Sequence, residues 1–284
     1  MNKFKENFMH GVFLFSACAS ILAVALICIF LFANGIPAMA KIGLFDFIGG
    51  SQWRPGNNVY GILPMILGSI YVTAGAIIIG VPIGILVAIF MTRFCPDKLY
   101  KILKPAVDLL AGIPSVVYGF FGLMVIVPLI RDLFGGSGTS MLAASIVLGI
   151  MILPTIISVS ESALRAVPES YYEGSLALGA SHERSVFKVV LPAATSGVMA
   201  GVILGVGRAI GETMAVIMVA GNQAIIPRGL LTGIRTMTAN IVLEMGYAAD
   251  LHREALIATA VVLFVFILII NLSFSILKRR QENK

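Results

Sequence analysis

Six long runs of apolar residues constrain this chain more than any other feature. A helix needs roughly 20 mostly apolar residues to cross about 30 Å of hydrocarbon at 1.5 Å per residue. The runs lack the period-two alternation that the strands of a membrane barrel require. They therefore predict an all-α integral membrane protein with six transmembrane helices, near residues 9–33, 61–91, 107–131, 139–161, 196–221 and 255–277.

Charged residues are scarce and unevenly placed. Only 12% of the 284 residues are charged, against about 25% in soluble domains. Most Lys and Arg flank the alternate loops on the side that includes both chain ends, and cytoplasmic loops carry such an excess. We therefore predict that both termini are cytoplasmic. The net charge of +6 follows from this asymmetry, so the expected surroundings are membrane lipid and no nucleic-acid partner is predicted.

The sequence lacks the patterns of an enzyme active site or a metal site. Cys18 and Cys28 lie in the first apolar run and Cys95 follows the second, a spacing that fits neither a disulfide framework nor metal ligands. No G-x-x-x-x-G-K-[ST] segment is present to cradle nucleotide phosphates. We predict a non-catalytic membrane chain that binds no metal or cofactor itself.

One interior stretch, residues 168–192, reads like a soluble protein. Pro168 suits the first position of a helix, with Glu169 in its favourable first turn. Gly179 can end that helix in a left-handed conformation, and Ser181 can cap a second helix. The pattern predicts two short helices on the cytoplasmic membrane face. An amphipathic connector lying on the membrane surface would show the same composition.

This stretch resembles the EAA loop of binding-protein-dependent ABC importer permeases. The family pattern is E-A-A, three residues, G, nine residues and I-x-L-P, with Gly174 and Ser175 here in place of the alanines and Val189 in place of the isoleucine. The resemblance implies a coupling helix that docks on a separate ATPase subunit. The positions that it assigns to ATPase coupling are Glu173, Gly174, Gly179, Leu191 and Pro192.

The resemblance also implies an architecture and a mechanism. It implies a single transmembrane domain over residues 1–284 with the MetI-like permease fold. Within it we expect a peripheral first helix at 9–33, a permease core at 60–277 and a cytoplasmic coupling loop at 165–195. ATP hydrolysis by the partner would drive alternating access of the membrane path.

The third apolar run contains an irregular segment, AGIPSVVYGFFG. Pro114 and the glycines around it predict a distorted helix. Ser115 and Tyr118 are three residues apart and therefore share a helical face. Discontinuous helices often lie at the substrate path of transporters, which makes both residues candidates for that path. Close helix packing would also explain the small residues.

The fifth run carries the only charge pair placed inside a predicted span. Gly197, Gly201, Gly205, Arg208 and Glu212 are spaced by three or four residues, which predicts a packing face of glycines that ends in an ion pair. Arg208 would lie about 18 Å along the helix, near the bilayer middle. A charge there usually marks a pathway or a partner, so we assign Arg208 and Glu212 to the substrate path. A purely structural Arg208–Glu212 bridge is the alternative.

The segment GRAIGETMAV at residues 207–216 resembles the PstC-type permeases of phosphate importers, as does AGIPSVVYGFFGL. The resemblance covers most of residues 55–277. It implies a phosphate path formed with a PstA-like second permease, a PstB-like ATPase dimer that uses ATP and Mg²⁺, and an extracytoplasmic PstS-like phosphate-binding protein. The membrane would be the cytoplasmic membrane of a bacterium or an archaeon.

Other functions stay open at this point. Sulfate or molybdate could be the oxyanion, and an autonomous channel or secondary carrier would need no ATPase. Two further expectations concern single residues. Trp53 and Tyr60 suit the headgroup region as interfacial anchors, and Glu161, at the cytoplasmic end of the fourth span, is expected to be solvated.

Overall fold

The structure, a computed structural model, describes residues 3–282; the basic side chains at 278–280 and Lys284, which entered the orientation prediction, lie outside what it describes. Helices dominate, and the all-α prediction is confirmed. In order they are α1 (Lys3–Ile42), α2 (Leu44–Gly49), α3 (Leu63–Ile89), α4 (Asp97–Gly112), α5 (Ser115–Phe121), α6 (Val127–Phe134), α7 (Met141–Arg165), α8 (Glu169–Ala177), α9 (His182–Ser185), α10 (Leu191–Ala193), α11 (Thr195–Gly211), α12 (Met214–Val219), α13 (Met237–Glu244) and α14 (Asp250–Glu282).

Short irregular elements join some of these helices. A small antiparallel hairpin consists of β1 (Trp53–Arg54) and β2 (Val59–Tyr60), with a 3-10 turn at Pro55–Asn57 between them. Single π-helical turns occur at Phe90–Phe94, Gly122–Ile126 and Val186–Val190. Below, the end of the bundle that carries α8 and α9 is called the cytoplasmic end, as the sequence predicts, and the opposite end the external end.

Six membrane spans can be recognised. Five helical segments are long and apolar enough to cross a bilayer: Asn7–Ile42, Leu63–Phe94, Ser115–Phe134, Met141–Arg165 and Asp250–Ser273. One more, the fifth in chain order, is counted if the helices His182–Ala193 and Thr195–Gly211, whose axes are bent by 70°, are taken as a single broken span. Counted as one span, this pair completes the predicted six.

Two spans have other bounds than the sequence predicted. The third span begins at Ser115, because residues 107–112 belong to α4 and the helix is interrupted before Pro114. A proline disfavours the helical conformation of the residue before it. Asp108 therefore lies on α4, where its carboxylate pairs with Lys104 at 3.1 Å. The fifth span is also interrupted, since α11 ends at Gly211 rather than continuing to residue 221.

α7 is the centre of the core and lies between α3 and α11. Glycines let the three backbones approach closely. On the α3 side, Gly80 and Gly84 pack against Ile152 and Ile156. On the other side, the predicted packing glycines meet α7 in antiparallel order, with Ala163, Val159 and Ile156 as the nearest residues to Gly197, Gly201 and Gly205.

Buried aromatic and charged residues form a cluster at the external end. Trp53 and Tyr60 pair across the hairpin and are only 7% and 3% exposed. The indole Nε1 donates to Glu244 Oε2 at 2.8 Å, and the same carboxylate pairs with Arg235 and His252. The predicted role as interfacial anchors is wrong for both residues, because the protein itself buries the two rings and a buried carboxylate binds the indole N–H.

α1 packs on α14 through its C-terminal part, where Gly35 approaches Ala258 and Val261. Closer to its N-terminus its apolar side chains are exposed, among them Phe15 and Ile21. The division into a peripheral first helix at 9–33, a core at 60–277 and a loop at 165–195 stays a prediction.

Candidate functional site

A glycine and a serine shape the helix pair α8–α9. α8 ends where Gly179 takes φ +85°, a left-handed conformation that favours glycine. The Gly179 N–H donates to the Leu176 carbonyl at 2.8 Å, which closes the turn. Ser181 then caps α9, because its Oγ accepts the Arg184 N–H at 3.3 Å. Local sequence alone therefore determines how the two short helices are joined.

The exposed side of this pair, called the outward face below, carries large apolar side chains among polar ones. Leu178 is 91% exposed, Tyr171 is 54% exposed and Leu176 is 39% exposed. Glu173 and Gly174, two of the predicted coupling positions, are exposed on the same helix. Grouped apolar side chains on a polar loop are typical of a surface that contacts another protein.

Leu191 and Pro192 lie where the chain turns into the fifth span. They begin α10, after which the chain bends by 70° into α11. Leu191 packs on the apolar cluster beneath the helix pair, whereas Pro192 is exposed. These two positions thus occupy the joint between the cytoplasmic helix pair and the membrane span.

The fifth span is broken beside the predicted substrate residues. Glu212 follows the end of α11 in an extended conformation (φ −69°, ψ 135°), and α12 begins at Met214. Glu212 Oε1 accepts the Ala215 N–H at 3.1 Å. Thr238 Oγ1 donates to the Glu212 carbonyl at 3.0 Å. The break is therefore stabilised by its own carboxylate and by α13.

The predicted ion pair between Arg208 and Glu212 is wrong. It assumed one helix through both residues, but α11 ends at Gly211 and Glu212 leaves the shared face. Among the residues that the structure describes, Arg208 has no ion-pair partner. It lies in the last turn of α11, where the helix dipole favours a cation. The residue as a whole is partly exposed.

Tyr118 and Ser115 lie one helical turn apart on α5, at the start of the third span. Tyr118 is 6% exposed, and its hydroxyl donates to a backbone carbonyl of α4 at 2.8 Å. Ser115 begins α5 and is partly exposed. Gly119 lets α5 approach α12, since a Cβ there would lie 2.8 Å from the Ala215 Cα. The broken third and fifth spans therefore meet.

Two residues that sequence reasoning missed hold this break in place. Ser69 Oγ accepts the Met237 N–H at 3.0 Å, which ties α3 to the start of α13. Thr238, the next residue of α13, then reaches the Glu212 carbonyl. A polar residue inside an apolar run was the only signal for Ser69, and its partner is remote in the chain.

Glu161 is buried, contrary to the predicted solvated position. It is 3% exposed, and its carboxylate accepts the Tyr100 hydroxyl at 2.6 Å and pairs with Lys104 and Arg165. The hydrogen bond to Glu161, together with burial, raises the pKa of Tyr100. α4 thus covers the cytoplasmic end of α7. Within residues 3–282, no cluster of His, Cys, Asp and Glu is arranged for a metal ion.

The chain is similar to known transport proteins along most of its length. The family model described as "Binding-protein-dependent transport system inner membrane component" matches residues 80–283. The "Probable ABC transporter permease protein YqgH" of Bacillus subtilis is 42% identical over 276 residues, which cover 93% of this chain and 89% of that protein. The "Phosphate transport system permease protein PstC" of Mesorhizobium japonicum is 36% identical over 276 residues, which cover 89% and 84%.

A solved structure shares the fold. A chain of the inward-facing MetNI methionine ABC transporter matches with a TM-score of 0.64 at 20% identity. The match covers 81% of this chain and 99% of that chain. At this identity the likeness concerns the fold alone.

Proposed function

Because the chain belongs to the family of binding-protein-dependent transport system inner membrane components, we propose that it is a permease subunit of an ATP-driven phosphate importer. It is an all-α ABC permease of the MetI-like fold. The family consists of membrane subunits that are not themselves catalytic. Its place is the cytoplasmic membrane of a bacterium or an archaeon, which it crosses several times.

The guanidinium of Arg208 is the observation that most supports an oxyanion as the transported substrate. Its fork of N–H donors matches the oxygens of phosphate. A cation inside a membrane costs about 2.5–3.5 kcal/mol on insertion scales, and in the described chain no carboxylate neutralises this one. A passing anion offsets that cost. Similarity to a phosphate permease over most of the chain favours phosphate over sulfate or molybdate.

The neighbours of Arg208 have supporting roles in this path. Tyr118 and Ser115 bring hydroxyl groups from the broken third span. Glu212 caps α12, which fixes the break of the fifth span relative to Arg208. The affinity of this path for the anion is low, because a site that bound phosphate tightly would stall transport.

The apolar outward face of α8–α9 fits a groove on a separate ATPase subunit. Leu178 and Tyr171 supply the buried contact, and Gly179 shapes the turn that presents them. A PstB-like ATPase dimer would use ATP and Mg²⁺, and this chain would bind neither. A PstA-like second permease completes the path, and a PstS-like binding protein delivers phosphate at the external end.

Import then proceeds by alternating access. Closure of the ATPase dimer on ATP moves the docked helix pair at the cytoplasmic end. The spans rock around the central path, so that the region of Arg208 opens to one side of the membrane at a time. Both chain termini lie on the cytoplasmic side with the docked loop.

Copurification followed by reconstitution tests this function. We expect a second permease and an ATPase to copurify with the tagged chain, and the complex to take up radiolabelled phosphate with ATP and a phosphate-binding protein. Excess sulfate or molybdate should not compete. Competition by either anion would indicate another cargo, and conduction by the chain alone without ATP would indicate a channel or a secondary carrier.

A further inference from the structure

The π-helical turn at the cytoplasmic end of α3 contacts both helices of the α8–α9 pair. It spans Phe90–Phe94 and carries Arg93 and Phe94 as consecutive residues. Each of these two side chains contacts one of the two short helices. Single π-helical turns inside helices are frequent at functional sites.

Arg93 binds α8. Its Nη1 lies 2.9 and 3.0 Å from the two carboxylate oxygens of Glu169, and its guanidinium carbon lies 5.2 Å from the centre of the Tyr172 ring. The arginine side chain is only 12% exposed, although Glu169 is 57% exposed. A guanidinium shielded from water on one side is held more firmly than one in an ordinary surface pair.

Phe94 binds α9. Its ring meets the His182 ring edge to face, with the centroids 4.6 Å apart. His182 Nδ1 and the Tyr172 hydroxyl are 2.6 Å apart, so the two short helices are also tied to each other. Beneath these contacts, Ala88 and Ile89 of α3 share an apolar cluster with residues 186 and 190.

These contacts place the α8–α9 pair between two surfaces. Its outward face, with the exposed Leu178, is free to dock, and its inward face is fixed to α3. α3 in turn packs on α7 through Gly80 and Gly84, and the span that carries Arg208 packs on the other side of α7. A force on the helix pair can therefore reach α3 through these side-chain contacts, besides reaching α11 through the chain at Leu191 and Pro192.

We propose that Arg93 and Phe94 clamp the coupling loop to α3, so that the two move as one body when the ATPase closes. The inference rests on the proposed function and adds the residues that transmit the motion. Arg93 is a positioning residue, since it contacts Glu169 and Tyr172 rather than the cargo. Its loss uncouples movement of the loop from movement of the second span.

A distance measurement tests the clamp independently of the cargo. Spin labels are placed at the exposed positions Ser170 on α8 and Leu86 on α3, after the three native cysteines have been replaced by serine. The distance between the labels is measured in the complex with the copurifying ATPase. We expect the same mean distance and width with and without ATP. Arg93→Ala should broaden the distribution, and Phe94→Ala provides a second variant should the first not assemble. A distance that changes with ATP in the parent complex, or equal widths in the parent and the variant, would overturn the proposal.

The amount of phosphate imported per ATP hydrolysed shows whether Arg93 transmits motion or only supports the structure. Arg93→Ala should lower the phosphate imported per ATP hydrolysed at least about fivefold, the low end of typical coupling between sites, in complexes assembled in equal amount. The charge reversal Arg93→Glu with Glu169→Arg should restore the ratio, and Lys98→Ala, at an exposed position near the start of α4, should leave it unchanged. An unchanged ratio in Arg93→Ala refutes the clamp. A parent complex that imports no phosphate refutes the proposed function instead, and the label distances still decide the clamp.

Discussion

The α8–α9 pair and the break at residues 208–215 both interrupt the apolar chain with polar residues. They differ in which side chains they expose and in the surroundings of those side chains. The helix pair turns leucine and tyrosine side chains outward into water. The break lies inside the span and presents a guanidinium among helix ends. An apolar face exposed to water suits a protein partner, and a lone cation inside a membrane suits a small anion.

The two regions also differ in how they are built. The turn at Gly179 is formed by neighbours in the chain, and only its attachment to α3 is long range. The break is assembled from elements that are distant in the chain: Ser69 of α3 accepts the Met237 N–H, Thr238 of α13 donates to Glu212, and α5 packs on α12 at Gly119. A substitution in the helix pair should therefore affect docking, whereas one at the break should affect cargo passage.

Removal of the Arg208 charge has the largest expected effect. Arg208→Ala should lower phosphate uptake by about 10- to 100-fold, since charge-assisted hydrogen bonds contribute about 1.5–3 kcal/mol. Arg208→Lys should fall between the parent and Ala, because it keeps the charge but loses the fork. Uptake into proteoliposomes measures both, with Arg131→Ala as a control at an exposed arginine. Normal uptake by Arg208→Ala would remove the break from the cargo path.

A charge on the outward face should affect docking next most strongly. Leu178→Asp should weaken ATPase binding by about tenfold or more, because burying a leucine contributes about 1.5–3 kcal/mol. Binding of the purified ATPase to the permease complex measures this loss. Ile102→Asp is a matched control, since Ile102 is a 68% exposed apolar residue that belongs to α4 and not to the helix pair. Equal losses in the two variants would mean that the outward face is not a specific docking surface.

Two glycines of α11, Gly205 and Gly207, should differ in their tolerance of a larger side chain, because only Gly205 packs against α7. Gly205→Val should destabilise the chain by about 1 kcal/mol or more, because a Cβ there would lie 2.9 Å from Ile156 Cγ1 and overpacking costs about 1–3 kcal/mol. Gly207→Val puts the same side chain where no atom lies within 4 Å. Thermal unfolding in detergent should separate the two variants, and identical midpoints would contradict the packing.

The smallest effect is expected at the buried Glu161. Tyr100→Phe removes one hydrogen bond to this carboxylate but leaves its pairs with Lys104 and Arg165. The expected loss of stability is about 0.5–1.5 kcal/mol. Tyr247→Phe, at a tyrosine that is 70% exposed, is the control. A loss no larger than in that control would mean that α4 is not anchored through this bond.

Local patterns predicted the architecture better than the site. The length of the apolar runs was sufficient for six spans, and the spacing from Glu173 to Pro192 was sufficient for the family. Boundaries failed where a helix breaks, as before Pro114 and after Gly211, because periodicity continues across a break. The partners of Glu161 and Trp53 could not be predicted, since α4 and α13 bring them together from distant parts of the chain.

The ratio of phosphate imported to ATP hydrolysed, measured in the same vesicles for Arg208→Ala and Leu178→Asp, tests most directly whether the two regions have separate tasks. We predict that Arg208→Ala keeps ATP hydrolysis in response to the loaded binding protein but imports little, so that the ratio falls. Leu178→Asp should lower hydrolysis and import together and leave the ratio unchanged. A normal ratio in Arg208→Ala, or a lowered one in Leu178→Asp, would contradict this division.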